Sequence, residues 1–413
     1  MIVKCPLAKL KPGMFLSNPG LCQSSNPHVY LADGIFNDVA GLRLLTDTFC
    51  ETYIDTEKGS YFASHPDEKA ELESIFNTLV FTDEERKDGS GSLDDILANF
   101  KAAENKYVEF LGQYKAMAQK MASAKDVDLQ VCERLVKSIT DTEDKTLLAM
   151  LLVSRMRVYD AYSYTHSLNV SILAAIAARH FGFSEDVQTI FGMSGMFHDV
   201  GKIFIPDKIL KKPKKLTGAE YAEIKRHPVY GMELLSKQKD LPSDVTQVAH
   251  KHHEQFDGSG YPLGLKGDEI GNTAALISII DTYDALRSDR YYKEAVSSHK
   301  AICVVYSLKG KSFKPVMVDK LVKMIGIYPI GAIVVLKNGM KAIVSGQNSD
   351  NLLRPQVRVI LDAANRHCDP MDVDLMREDD LGPFAIVDTL TQKECRVHVS
   401  ALLRETCSCG SSK

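Results

Sequence analysis

The chain has 413 residues, 45% of them hydrophobic, and its 50 Lys plus Arg against 54 Asp plus Glu leave a net charge of −4. Such a length predicts two or three domains, each with a sizeable core. The balanced charge excludes the global basic field of a protein that binds genomic nucleic acid, so an anionic ligand must be met by local cations and metals.

Nine cysteines in irregular spacing argue against a disulfide framework, and Cys407 and Cys409 read as a frayed, reduced tail. The opening MIVKCPLAKL lacks the apolar core of a signal peptide. Apolar helical runs such as Leu147–Val153 are too short to span a bilayer. A soluble, cytoplasmic protein without membrane insertion is the expectation.

Residues 1–124 mix short extended pieces with a charged helical stretch, which suggests a small α+β accessory domain. LKPGMFL carries a Pro-Gly turn before an apolar strand, and TYIDTEKG reads as a strand ending in a charged turn. Asp83–Gly91 reads as a flexible loop, and Asp94 to Met121 as a helical connector.

From 125 to 326 the pattern is helical almost throughout. His166, Val170, Leu173 and Ala177 share one face, as do Val187, Ile190, Ser194 and Phe197 just before His198. Gly192 and Gly195 cost helix stability, so they imply close helix contact. Thr217 and Glu220 fit a capping box that starts a helix reaching His227 before Pro228. Ala274, Ile277 and Asp281 share a face on a later helix. From 327 to 413 the code turns extended: AIVVLK-NG-MKAIVSG predicts a hairpin with a type I′ turn, and VRVIL, FAIVDTL and VHVSALL predict further strands. The fold class is multidomain α+β, with a central all-helical domain between a small α+β domain and a small β extension.

Seven potential metal ligands punctuate the helical region: His166, His198, Asp199, His227, His252, His253 and Asp281. Each alone has an ordinary explanation, since core histidines hydrogen-bond and single aspartates cap or pair. Together they would be costly to bury among Ile, Leu, Phe and Ala unless a metal pair compensates them. Seven nitrogen and oxygen donors exceed one tetrahedral zinc and suit two adjacent ions, with Asp199 able to bridge. Two such ions are suited to activating water against a phosphodiester. Lys202 lies one helical turn after His198, so it would share the cavity and hold a phosphate oxygen.

The strings YSYTHSLNV, MFHDVGKIFIPDKIL, HPVYG, HHEQFDGSGYPLGLKGDEI and ISIIDTYDALRSDRYYK, complete and in order over about 155–300, resemble the HD-GYP domain, a branch of the HD phosphohydrolases. LKPGMFL with YIDTEKG resembles the domain often found ahead of it, and YPIGAIVVLKNGMKAIVSG the short β extension often found behind. The resemblance implies a cyclic dinucleotide phosphodiesterase acting on cyclic di-GMP or 3′,3′-cyclic GMP-AMP. It makes the seven residues above the metal ligands, with Asp199 and Lys202 catalytic. Lys202, Gly260, Tyr261, Pro262, Arg290 and Lys293 would meet substrate. Three-metal members of the family carry a glutamate where this chain has Tyr162, a poor ligand at neutral pH, so two divalent ions, iron or manganese, are expected. A sensor that binds the dinucleotide without cutting it, and a general HD nucleotide phosphohydrolase, are the competing classes; homodimerisation is left open.

Overall fold

The computed structural model describes residues 2–6, 14–16, 34–35, 51–59, 93–124, 128–156, 162–210, 212, 214, 216–238, 240–288, 295–348, 350–378 and 382–395. The chain divides into two units, Met1–Lys87 and Asp88–Lys413.

In the first unit, β1 (Ile2–Pro6), β2 (Met14–Leu16), β3 (Gly34–Ile35) and β4 (Glu51–Gly59) form an antiparallel sheet of order β1-β4-β2-β3. The strands expected in LKPGMFL and TYIDTEKG are therefore β2 and β4. The loop expected at 83–91 lies outside the described residues.

The second unit begins with α1 (Leu93–Ala98) and α2 (Phe100–Ala124). Then come α3 (Leu129–Thr140), α4 (Asp144–Met156), α5 (Tyr162–His180) and α6 (Glu185–Phe197). A 3-10 turn over Val200–Phe204 leads to α7 (Asp207–Leu210), α8 (Gly218–Ile224), α9 (His227–Leu235) and α10 (Ser243–Lys251). The helical part ends with α11 (Asn272–Leu286), α12 (Ser298–Ser307) and α13 (Pro315–Ile325).

The boundary expected at residue 124 is corrected. In α2, Ala103, Tyr107, Phe110, Leu111, Tyr114, Met117, Ala118 and Met121 are all buried in the same core as α4, α5 and α6. Their i, i+3, i+4 spacing is the apolar stripe of a packed helix, so the presumed connector is a structural helix of the central domain. The many charges on its solvent face disguised that stripe in the sequence. The Tyr114 hydroxyl also donates to the Met196 carbonyl at 3.2 Å, tying α2 to α6 just before His198.

Helices α5 and α6 lie in tight contact, as the two glycines suggested. A Cβ at Gly195 would stand 2.9 Å from the Ser171 backbone of α5, while one at Gly192 would stand 2.6 Å from Val136 Cγ1 on α3. The Thr217–Glu220 capping box is present. Its helix, however, stops at Ile224, and His227 opens α9 instead of ending α8. Pro228 explains the difference, because a proline is favoured in the first turn of a helix, where its missing N–H costs nothing.

Among the described residues, the C-terminal part contains β5 (Ile333–Leu336), β6 (Lys341–Gly346), β7 (Gln356–Leu361), β8 (His367–Asp374), β9 (Ile386–Leu390) and the single-turn α14 (Gln392–Cys395). The strands form one antiparallel sheet in the order β8-β7-β6-β5-β9. The β5–β6 hairpin is where the sequence put it, but its turn is not type I′. The Gly339 N–H donates to Leu336 O at 2.8 Å, and only Gly339 (φ 83°) adopts positive φ in the loop. Asn338 stays at negative φ, so this is a longer loop closed by a left-handed glycine. The strand expected in VHVSALL and the tail cysteines lie outside the described residues. No described helix is long and apolar enough to cross a membrane.

Candidate metal centre

Each histidine of the centre is placed by a helix end or a buried helix face. His198 follows directly on α6, and its Nδ1–H donates to Gly195 O at 2.7 Å. His227 opens α9 and donates in the same way to Ile224 O at 2.7 Å, a carbonyl freed by the break after α8. His252 follows α10 and its Nδ1 lies 3.1 Å from Ala249 O and 3.2 Å from Val248 O. Carbonyl oxygens only accept, so these three rings carry their proton on Nδ1, a tautomer assigned from the network. In the neutral rings Nε2 is then a bare lone pair.

Those lone pairs converge. His227 Nε2 and His252 Nε2 are 3.2 Å apart, and Asp199 Oδ1 lies 3.2 Å from the first and 3.7 Å from the second. His198 Nε2 is 3.3 Å from Asp199 Oδ2 and 3.8 Å from Asp281 Oδ1. Asp199 belongs to two donor groups, one with His166 and His198 and one with His227, His252 and His253, in each of which the ligand atoms lie within 4.8 Å of one another. Asp281 flanks the first group, 2.9 Å from His166 Nε2.

The electrostatics favour neutral His252 and His253 beside ionised Asp199 and Asp281. Burial pulls His252 down to about 4, and burial with the neighbouring His252 and His227 rings holds His253 well below the usual histidine range. Burial opposes charge on Asp199, yet Lys202 and His198 keep its carboxyl well below the ordinary value. Asp281 is likewise held low against burial, by the His166 hydrogen bond and the nearby His198. His166 is the exception. Burial disfavours its charge, but the flanking carboxylates of Asp281 and Asp284 raise it to about 9.

This donor set fits metal ions. Among the described residues, His198 Nε2 and Asp199 Oδ1 are buried without a hydrogen-bond partner, and the facing His227 and His252 lone pairs repel unless a cation lies near them. Orientation of each ring by a backbone carbonyl is how a metal-binding histidine is held.

Asp284 belongs to the site although the sequence reading passed over it. Its Oδ2 lies 2.8 Å from His166 Nδ1, and its Oδ1 accepts from Asn169 Nδ2 at 3.2 Å. Asn169 in turn accepts from the Tyr107 hydroxyl at 3.0 Å, so a buried chain runs from α2 to the metal centre. The available signal was Asp284 lying three residues, nearly one helical turn, beyond Asp281.

The remaining candidates divide. Lys202 bonds Asp199 Oδ2 through its ammonium, so it stands at the carboxylate common to both groups. Tyr261 stacks on His253 with ring centroids 4.8 Å apart. Buried Glu254 sets that loop: its carboxylate accepts the Leu263 N–H at 2.6 Å and the Leu265 N–H at 2.9 Å. Gly260 packs against the same strand of chain, where a Cβ would meet Glu254 C at 2.6 Å. Pro262 follows Tyr261 through a cis peptide. Arg290, Lys293 and the Tyr162 side chain lie outside the described residues.

A helical domain whose His-Asp pair joins two histidine-rich donor groups defines an HD-type hydrolase, and the HD domain family model matches residues 146–315. The chain is 30% identical to a cyclic di-GMP phosphodiesterase of Pseudomonas aeruginosa over 376 residues, 90% of this chain and 88% of that protein. It belongs to the HD-GYP family. A 3′3′-cGAMP-specific phosphodiesterase of Vibrio cholerae is 35% identical over 38% of this chain and 30% of its own length. An HDGYP protein of Bdellovibrio bacteriovorus is a structural neighbour at TM-score 0.44 and 15% identity, covering 78% of this chain and 98% of that one.

Proposed function

We propose that the chain is a metal-dependent phosphodiesterase that opens a cyclic dinucleotide, cyclic di-GMP or 3′,3′-cyclic GMP-AMP, to a linear 5′-phosphorylated dinucleotide. The observation that carries this reading is the sharing of Asp199 between two donor groups. His166, His198 and Asp281 would hold one ion, His227, His252 and His253 a second, with Asp199 common to both. The all-nitrogen and oxygen donor set suits iron or manganese, and Tyr162 in place of the third-metal glutamate supports two ions. Bound there, the metals supply acidification of water and polarisation of the phosphoryl oxygens.

The protein's own groups do the rest. Backbone carbonyls fix three imidazole tautomers, which avoids reorganisation when substrate arrives. Lys202 would share its ammonium between Asp199 and a phosphoryl oxygen. Gly260, Tyr261 and Pro262 would border the nucleotide, and Arg290 and Lys293 would contact it. The test is product analysis after anaerobic loading with iron or manganese, offering both dinucleotides. Linear dinucleotide from at least one is the expected product; tight binding with neither ring opened would overturn the reading in favour of a sensor.

Asp284→Ala is expected to weaken metal binding about 10- to 100-fold, because it leaves the His166 Nδ1–H and the Asn169 amide without their shared acceptor. Chelator competition would measure this. Parental affinity in that variant would remove Asp284 from the centre.

A further inference from the structure

A cyclic dinucleotide carries two phosphodiesters, and hydrolysis at the metal centre engages one. The second remains an anion beside the site and needs a counter-charge of its own. Lys202, bonded to Asp199, would serve the scissile phosphate at the metal centre.

Lys225 closes α8 two residues before His227. Its ammonium stands 4.5 Å from the Tyr261 ring centroid and 5.7 Å from that of Tyr221. The nearby acids of α8 are engaged elsewhere: Glu220 with Lys212, and Glu223 with Arg226 and Tyr230. Among the described residues Lys225 therefore faces two phenol rings and no carboxylate. An ammonium over aromatic faces is attracted by them without being neutralised, so it keeps its charge for an anion. Tyr261 also stacks on His253, which puts this cation one aromatic ring away from a metal-centre histidine. Tyr221, 53% exposed, adds an open face at the same rim.

We propose that Lys225 binds the second, non-scissile phosphate of the cyclic dinucleotide, seated against Tyr261. This assignment rests on the functional reading above and names a contact that the metal ligands do not provide.

The experiment compares Lys225→Ala and Lys225→Arg with the parent, all manganese-loaded full chains. Cyclic di-GMP and bis(p-nitrophenyl) phosphate, a diester without a second phosphate, are the substrates. Loss of a charge-assisted contact to phosphate should raise KM for cyclic di-GMP about tenfold relative to the small diester. Metal content should be unchanged, and arginine should restore most of the effect. Equal losses on both substrates, or none on either, would overturn the assignment. Calorimetry with the hydrolysis-resistant bisphosphorothioate of cyclic di-GMP separates the two ideas. A parent that binds it while Lys225→Ala binds equally well overturns the lysine's role alone. A parent that neither binds nor hydrolyses the dinucleotide overturns the functional reading and the assignment with it.

Discussion

Asp199→Ala should lower turnover by at least about a thousandfold and strip metal from both halves of the centre, the largest effect of any single ligand change. The reason is geometric. Asp199 alone belongs to both donor groups, with Oδ1 toward His227 and His252 and Oδ2 toward His198 and Lys202. Its removal takes away the anion around which three bare imidazole nitrogens are gathered. It also leaves the half-buried Lys202 ammonium without its partner, a loss that solvent moderates because the lysine is partly exposed. His166→Ala provides the contrast, because His166 enters only one group and should cost about one equivalent of metal. Elemental analysis beside activity measures both variants. Two equivalents retained by Asp199→Ala, or unchanged turnover, would refute the bridging role.

How much of this centre was legible depended on whether its signal was local. The seven candidate ligands stood out because polar, ionisable residues interrupt apolar helical runs, and burial of such groups demands compensation. The capping box at Thr217 and the glycines facing Ser171 and Val136 were readable for a similar reason: each constraint acts within a turn or through a missing side chain. Asp284 was missed since its partner His166 is 118 residues away, and a buried aspartate near a helix end looks like any capping residue. Tyr107 was hidden further, in a helix whose charged face suggested a linker while its apolar stripe was packing against α4 and α5. The hairpin turn failed differently. Asn-Gly satisfies several loop types, and the choice between them lies in the strand register, which the sequence does not carry. Lys225 had no sequence signal at all, because its significance comes from Tyr261, which the folded loop brings over it.

Gly201→Ala should destabilise the protein by about 3 kcal/mol or more, since relief of the overlap requires backbone movement. On a domain of this size that corresponds to a fall in Tm of roughly 5 °C or more. The glycine is needed for space: it lies in the 3-10 turn over Val200–Phe204, and a Cβ there would overlap the carbonyl oxygen of His227 and stand 2.5 Å from the Gly231 amide nitrogen. Both obstacles are backbone of α9, so no side chain can rotate aside. The damage would reach the chemistry directly. The turn follows Asp199, α9 begins with His227, and the 3.2 Å separation of Asp199 Oδ1 from His227 Nε2 depends on their contact. Metal content and activity should therefore fall together with Tm. Gly231→Ala makes the control on the facing side of the same contact, because its nearest neighbours would be 3.4 Å away and a methyl group nearly fits. Calorimetric melting of the two variants separates close approach from any general intolerance of alanine in this region. A Gly201→Ala protein with parental Tm and full metal content would show that the turn and α9 can part without disturbing the bridge. The short HDVGK segment would then owe its glycine to something other than packing.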